Sequence, residues 1–535
     1  MSSLIIRIAV CAAGLLFSGC TVVDTVRPAQ TKINNVILII GDGMGPQQVG
    51  LLLSYSRQAP HSVIADRTTA FDRILEQGGL GISLTYSDNT LVTDSAASAT
   101  QLATGYFSGS EMIGLDREGN SQETLVEKAR RLGKATGLVS DTRITHATPA
   151  AFAAHQTHRS LENEIAEDLL KNEPDVMLSA GLSYWIPEQA NDRKSPVYQQ
   201  LLKLTENSYP VHSQRKDNKH LLDVAQQKGY GLAFNNRQLA RAQGKTLGLF
   251  ANSEIQNGIT ETRLKNSVHR SQPTLMEMSA KALEILDKHQ QGFFLMIEAG
   301  QIDWASHKND TGLLLHEMLR MNEMLLMVLD WAANRQDTLI IVTADHETGG
   351  FGFSYSAANI PEARSLPGSF FKDGTKFEPG FNYGRPEILD KLYAQQRSYR
   401  DIFSEYDALP SQQRTPASLA GLVNRYTEFK ITEAQAVKIL STETNPYYRP
   451  GHKALGSKQV PKMDVNGAFF VYQQDNRENL LAQAVSTEQQ VVWATGTHTS
   501  TPVYVFVTGP RSAIQAFTKI LHHTQIGKLA LEALN

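Results

Sequence analysis

The stretch Leu91-Val92-Thr93-Asp94-Ser95-Ala96-Ala97-Ser98-Ala99-Thr100 joins a β-branched entry to an Asp-Ser pair and a run of small residues. Alanine-rich sequence favours helix, so a helix is expected to begin at or just after Ser95. Backbone N–H groups at a helix start are unpaired and the macrodipole favours an anion. The position therefore suits a bound phosphate or an ionised serine. A serine there is more commonly a plain N-cap, and Ser95 alone does not separate the two uses. The neighbouring chemistry lies further along the chain. Asp42, Glu298 and Asp345 each follow an uninterrupted apolar run, at 36–40, 293–297 and 338–342. One such carboxylate is an ordinary turn residue; three in the same structural position suggest a cation at a sheet edge. Asp303 and His307 are four apart, so on a helix they share a face and can bind one metal. Asp345-His346 adds an adjacent carboxylate and imidazole, and His498 adds another imidazole.

These side chains need a frame. Continuous apolar runs are typical of strands buried on both faces of a parallel sheet. Further strands are expected at 136–140, 175–178 and 503–507, with helices at 123–132, at 313–331 and at the C-terminus. His155 and Arg159 are also read as helical. Alternating strands and helices over 535 residues predict an α/β fold, with a central, largely parallel sheet flanked by helices. Open sheets of this class build their sites beyond the carboxyl ends of the strands. Asp42, in Gly41-Asp42-Gly43-Met44-Gly45, falls in such a place. Residues from about 351 to 490 mix prolines, aromatics and both charges, and read as a large irregular insertion.

The formal net charge of −3 provides no basic field, so there is no nucleic-acid-binding signal. Residues 1–20 read as a signal peptide, with Arg7, a short apolar stretch and small residues at the end. The run is too short for a membrane span. Its ending, Leu16-Phe17-Ser18-Gly19-Cys20, resembles a lipoprotein signal in which Cys20 is lipidated; an ordinary cleaved signal is the alternative. Residues 21–34 read as a polar tether and 35–535 as the folded body. The expected location is outside the cytoplasm, either periplasmic or anchored at the outer membrane. Cys11 and Cys20 are the only cysteines. The folded body therefore forms no disulfide and must hold any metal with nitrogen and oxygen ligands.

The motifs taken together resemble the alkaline phosphatase family. They are Gly41-Asp42-Gly43-Met44-Gly45, Val92 to Thr100, Ala147-Thr148-Pro149-Ala150-Ala151, Glu298 through Asp303 to His307, Thr343-Ala344-Asp345-His346, and His498. The resemblance implies that Ser95 is the nucleophile, phosphorylated in turn. It implies that Arg159 grips two phosphate oxygens and that Asp94 orients it. Two Zn2+ ions are implied, one at Asp303, His307 and His498, the other at Asp42, Asp345 and His346. One Mg2+ is implied at Asp42, Thr148 and Glu298, with Asp42 bridging. His146 and Trp304 occupy variable positions, in a pairing similar to marine bacterial members. There His146 is expected to reach magnesium through water, and Trp304 to cover the substrate mouth or join the core. Substrates are expected to be small phosphate monoesters, and the protein a homodimer. A phosphodiesterase of the same superfamily and a non-catalytic lipoprotein that binds zinc or phosphate are the alternatives.

Overall fold

The computed structural model describes residues 32–464 and 467–535. The expected signal segment, Cys20 and most of the 21–34 tether lie outside the described residues. Among the described residues, no helix is long and apolar enough to cross a membrane.

A ten-stranded sheet organises the chain. Its first eight strands in chain order are β1 (Asn35–Gly41), β2 (Gly79–Leu84), β3 (Ala135–Arg143), β4 (Val176–Ala180), β5 (Gly231–Ala233), β6 (Thr246–Leu249), β7 (Phe293–Ala299) and β8 (Thr338–Thr343). Strands Val503–Thr508 and Ile520–His522 complete it. The spatial order is Ile520–His522, β2, Val503–Thr508, β8, β1, β7, β3, β4, β6, β5. Val503–Thr508 runs antiparallel to both β2 and β8, while the remaining pairings are parallel. The central strands β1, β7 and β8 are buried along their whole length, as their unbroken apolar sequences require.

Register sets the height of the site. Ile40 of β1 lies opposite Glu298 of β7 and Thr343 of β8, and Ser140 of β3 also lies opposite Glu298. β1, β7 and β8 thus end at one level beside Ser140 of β3, with Asp42, Glu298 and Asp345 side by side. The side chains of β1 alternate between two cores. Ile37 and Ile39 join the core that includes helices Leu275–Leu286 and Thr311–Ala332. Val36, Leu38 and Ile40 join the core on the other face, with helices Ser95–Thr104 and His523–Ala533. These last two helices meet at Gly527. A Cβ at that residue would lie 2.6 Å from the Gln101 carbonyl oxygen and 2.8 Å from the Gly105 nitrogen.

Two expectations are corrected. His155 and Arg159 are not helical; they occupy the turn-rich loop between helices Ala147–Ala150 and Glu162–Asn172. The Arg159 N–H bonds to the Glu111 carbonyl across the loop, which takes that donor out of any helical ladder. Nor is the 351–490 stretch irregular throughout. It forms helices Glu387–Tyr393, Tyr399–Ala408, Pro416–Tyr426, Glu433–Leu440 and Asn476–Gln489. They bury Leu392, Ile402, Phe403, Leu419, Val423 and Leu481 in the core that also holds Ile37. Asp310 ties this region to helix Thr311–Ala332. Its carboxylate caps helix Thr311–Ala332 and accepts from Tyr399 N at 2.7 Å and Gln395 Nε2 at 2.8 Å.

Candidate active site

Helix Ser95–Thr104 begins with the serine itself, and its cap is Asp94. The Asp94 carboxylate accepts from Ala96 N at 3.0 Å, Ala97 N at 3.3 Å and Glu111 N at 2.9 Å. It also accepts from Arg159 Nη1 at 3.2 Å. Burial opposes its ionisation, but Arg159 and the three backbone donors outweigh burial and hold it below the usual carboxylate range. The capping task thus belongs to Asp94, which leaves the Ser95 hydroxyl free to face the sheet edge. There Ser95 Oγ lies 3.1 Å from His346 Nε2.

The sheet edge and two flanking elements collect the other side chains. Helix Gln301–His307 follows β7 and, as its spacing predicts, presents Asp303 and His307 together, with His307 Nε2 at 3.1 Å from Asp303 Oδ2. His498 lies in a two-stranded antiparallel ribbon, in which it pairs with Thr348, and His346 immediately precedes the ribbon's other strand, Glu347–Thr348. Their rings stack with centroids 3.5 Å apart. His346 Nε2 lies 3.1 Å from Asp345 Oδ2 and 3.7 Å from Asp42 Oδ1. Gly43 turns the chain with a φ of +73°, and its missing Cβ makes room for Asp303 Cα and Thr348 Oγ1, both 2.8 Å from where it would stand.

The donor chemistry fits bound cations. His307 Nδ1 faces the Gly496 carbonyl at 2.7 Å, and His498 Nδ1 faces the Thr93 carbonyl at 2.9 Å. A carbonyl only accepts, so each ring carries a hydrogen on Nδ1, and a ring in its neutral form then has its lone pair on Nε2. The two Nε2 atoms nevertheless face each other across 3.2 Å, an arrangement that needs a positive charge between them. Asp42 Oδ1, Asp345 Oδ2, Glu298 Oε1 and His146 Nδ1 are all buried without a hydrogen-bond partner, although buried polar atoms are normally satisfied. Three sets of ligand atoms lie within 4.8 Å of one another: Asp303, His346 and His498; Asp42, Asp345 and His346; and Asp42, His146 and Glu298. Burial and the neighbouring Asp345, Asp303 and Glu298 carboxylates push Asp42 well above its ordinary pKa. Burial is also the leading reason that Glu298 is raised to about 7. Cations would relieve this crowding of negative charge.

At the third set, Glu298 Oε2 accepts from Ser140 Oγ and, at 2.9 Å, from Thr142 Oγ1. Thr148 Oγ1 donates to Asp42 Oδ2 at 3.4 Å. The second guanidinium arm of Arg159 reaches His146 Nε2 at 3.1 Å, which keeps that imidazole neutral; burial and the cationic Arg159 and Arg143 lower its pKa well below the ordinary value. The edge of Trp304 meets the His146 ring at a centroid distance of 5.8 Å, so the paired variable residues are in contact with each other.

The geometry adds residues that the sequence reading did not single out. Thr348 Oγ1 donates to Asp303 Oδ1 at 2.5 Å and lies 3.2 Å from His346 Nδ1, linking two ligand sets. It stands only two positions after His346, so the Asp345-His346 motif pointed to its neighbourhood. Ser140 and Thr142 lie in β3, where strand periodicity gave them no task. Tyr472 arrives from the 351–490 region and sets its ring edge-on to His307, with centroids 4.4 Å apart. Nothing in its local sequence marked it.

Comparison with known proteins places the chain in a family. The family described as alkaline phosphatase matches residues 33–535. The chain is 29% identical to alkaline phosphatase 3 of Bacillus subtilis, over 94% of this chain and 90% of the relative. It is 32% identical to alkaline phosphatase 4 of the same organism, over 82% of this chain and 87% of the relative. Its fold is similar to that of the Thermus thermophilus alkaline phosphatase, with a TM-score of 0.72 and 24% identity over 94% of this chain and 91% of the other. A cold-active alkaline phosphatase from a psychrophilic Shewanella gives a TM-score of 0.66, again at 24% identity, over 94% of this chain and all of the other. With its family match running through the strands, ribbon and helices that build the site, this chain belongs to the alkaline phosphatase family.

Proposed function

We propose that the chain is an exported, metal-dependent phosphomonoesterase that hydrolyses phosphate monoesters through a phosphoserine on Ser95. The observation that carries this reading is the convergence of Ser95 Oγ, the Asp94-bound Arg159 and three sets of candidate ligand atoms, four of those atoms unsatisfied, at one sheet edge. Asp303, His307 and His498 would hold one Zn2+, and Asp42, Asp345 and His346 a second. Asp42, Thr148 and Glu298 would hold Mg2+, with His146 beside them. When bound, such cations polarise phosphoryl oxygens and favour the ionised form of a nearby hydroxyl.

Arg159 presents a planar fork that suits two non-bridging oxygens of a phosphate better than an ammonium would. Asp94 and His146 hold that fork by its two arms. Ser95 Oγ attacks phosphorus, an Oγ–P bond forms, and the ester P–O bond breaks. The departing alkoxide takes up a proton and leaves as the alcohol. Water then attacks the same phosphorus, the Oγ–P bond breaks, and inorganic phosphate departs. Placing the nucleophile at a helix N-terminus favours the extra negative charge carried by the phosphoserine. The same proposal includes lipidation at Cys20 and pairing of two copies. Exposed aromatic side chains at Tyr355, Phe381 and Tyr383 provide apolar surface for such pairing.

The test is hydrolysis of p-nitrophenyl phosphate at mildly alkaline pH by the protein as isolated, after chelation, and after return of zinc and magnesium. Activity is expected to disappear and recover. Ser95→Ala is expected to lower turnover by at least about 10³-fold while zinc content stays at the wild-type level. Hydrolysis that survives this substitution rejects the phosphoserine. No monoester hydrolysis in any metal state, with cleavage of a diester, moves the assignment to a phosphodiesterase. No hydrolysis of either leaves a binding protein.

A further inference from the structure

The 351–490 region lies mostly on the face of the sheet opposite helix Ser95–Thr104, yet it sends one side chain to the mouth of the site. The approach is fixed by contacts to the turn after His307. Asn479 Nδ2, from helix Asn476–Gln489, donates to the His307 carbonyl at 2.8 Å and to Asn309 Oδ1 at 2.9 Å. Gln473 is held from behind by Asn445 Nδ2 at 3.2 Å. Tyr472, next to Gln473, is thereby set edge-on against the His307 ring, at 4.4 Å and 68°. Arg159 has one arm on Asp94 and the other on His146. Arg159 is the charge that acts most strongly on the Tyr472 phenol, ahead of Asp303 and Asp94. The Tyr472 ring therefore lines the site at His307, and the Arg159 guanidinium is near enough to act on its phenol.

We propose that Tyr472 is a substrate-contacting residue whose phenol O–H donates a hydrogen bond to the phosphate gripped by Arg159. The inference rests on the phosphatase reading above and extends it to a residue outside the family motifs. In this arrangement the guanidinium and the phenol take the phosphate from two sides. The 351–490 region then shapes the phosphate pocket itself and does more than cover it. A purely structural Tyr472 would instead pack on His307 and keep that imidazole in place.

Tyr472→Phe separates the two roles, because it keeps the ring against His307 and removes only the O–H. Binding of inorganic phosphate to the zinc- and magnesium-loaded protein is measured by calorimetry. KM and kcat for p-nitrophenyl phosphate, zinc content and melting temperature are measured in parallel. A lost hydrogen bond to a charged phosphate is expected to weaken phosphate binding by about tenfold. KM should rise in step, with zinc content and melting temperature unchanged. Tyr472→Ala is expected to weaken phosphate binding at least as much. Phosphate affinity of Tyr472→Phe within about twofold of wild type overturns the proposal, as does a loss of zinc that accounts for the weaker binding. The phosphatase reading fails separately, if the wild-type protein binds phosphate but hydrolyses no monoester. Absence of phosphate binding by the loaded wild type overturns both.

Discussion

The Asp94 carboxylate bonds to the Arg159 guanidinium at 3.2 Å while its oxygens also close the first turn of the helix that begins with Ser95. One carboxylate therefore ties the orientation of the proposed nucleophile to that of the proposed phosphate clamp.

Removing the clamp should separate affinity from metal chemistry. Arg159→Ala is expected to weaken inhibition by inorganic phosphate by about 10- to 100-fold, the range for charge-assisted hydrogen bonds. Zinc content should not change, because Arg159 contributes no ligand atom. Arg159→Lys should restore only part of the loss, since an ammonium cannot reproduce the planar fork. Inhibition equal to wild type in Arg159→Ala would remove this residue from the phosphate site.

His307 and His498 lend themselves to a direct metal measurement. His307→Ala takes away one of two Nε2 atoms that face each other across 3.2 Å. The protein purified from zinc-containing medium is expected to contain less zinc per chain than wild type, by elemental analysis, with magnesium little changed. Zinc equal to wild type would exclude His307 as a ligand.

A buried charge network away from the site predicts a pH effect on stability. Arg320 is surrounded by Asp141 at 2.8 Å, Glu317 at 2.6 Å and Glu261 at 3.5 Å. Burial pushes Glu317 up to about 7, with Arg320 opposing and Asp141 reinforcing the shift. A carboxyl raised in the folded state contributes stability fully below its unfolded pKa, and that contribution is lost as pH rises through the folded value. Wild-type melting temperature should therefore fall from about pH 5 to about pH 8 partly on account of this group. Glu317→Gln cannot ionise. At about pH 5 the wild-type carboxyl is protonated, so the variant, its neutral analogue, is expected to match wild type closely. Towards about pH 8 wild type ionises and loses stability that the variant keeps, so the variant should become the more stable of the two. A gap that stays constant across this range would show that Glu317 does not titrate there.

The contact at Gly527 predicts a defect at a distance. The nearest atoms to an added methyl are backbone atoms of the Ser95 helix, which cannot swing aside as a side chain can. Gly527→Ala is expected to cost about 1–3 kcal/mol of stability, as overpacking does, and to lower kcat more than it raises KM. Thermal unfolding and steady-state kinetics check this. A variant as stable as wild type would mean that the two helices separate without penalty.

Much of this architecture was legible because the sheet centre is written in unbroken apolar runs. The runs at 36–40, 293–297 and 338–342 became β1, β7 and β8, and their shared register placed Asp42, Glu298 and Asp345 together. Asp303 and His307 were readable from helical spacing alone. Arg159 was misplaced on a helix because its loop is held by cross-chain hydrogen bonds that local sequence does not display. The helices of 351–490 were hidden by their shortness: runs of 7 to 14 residues, separated by proline and aromatic connections, show little sustained periodicity. Tyr472 was invisible for another reason. Its place depends on Asn479 meeting a carbonyl 172 positions away.

The ribbon that pairs His498 with Thr348 also sets a timetable for biosynthesis. Asp303, His307, Asp345 and His346 emerge from the ribosome long before the imidazole that completes their cluster. The helix braced through Gly527 on the C-terminal end of helix Ser95–Thr104 is made later still. A nascent or truncated chain can hold most of the donors and still lack the enclosure. Full assembly of the cluster must therefore await synthesis of His498 and the helix His523–Ala533, and truncation ahead of them should disarm the protein even where every upstream motif is intact.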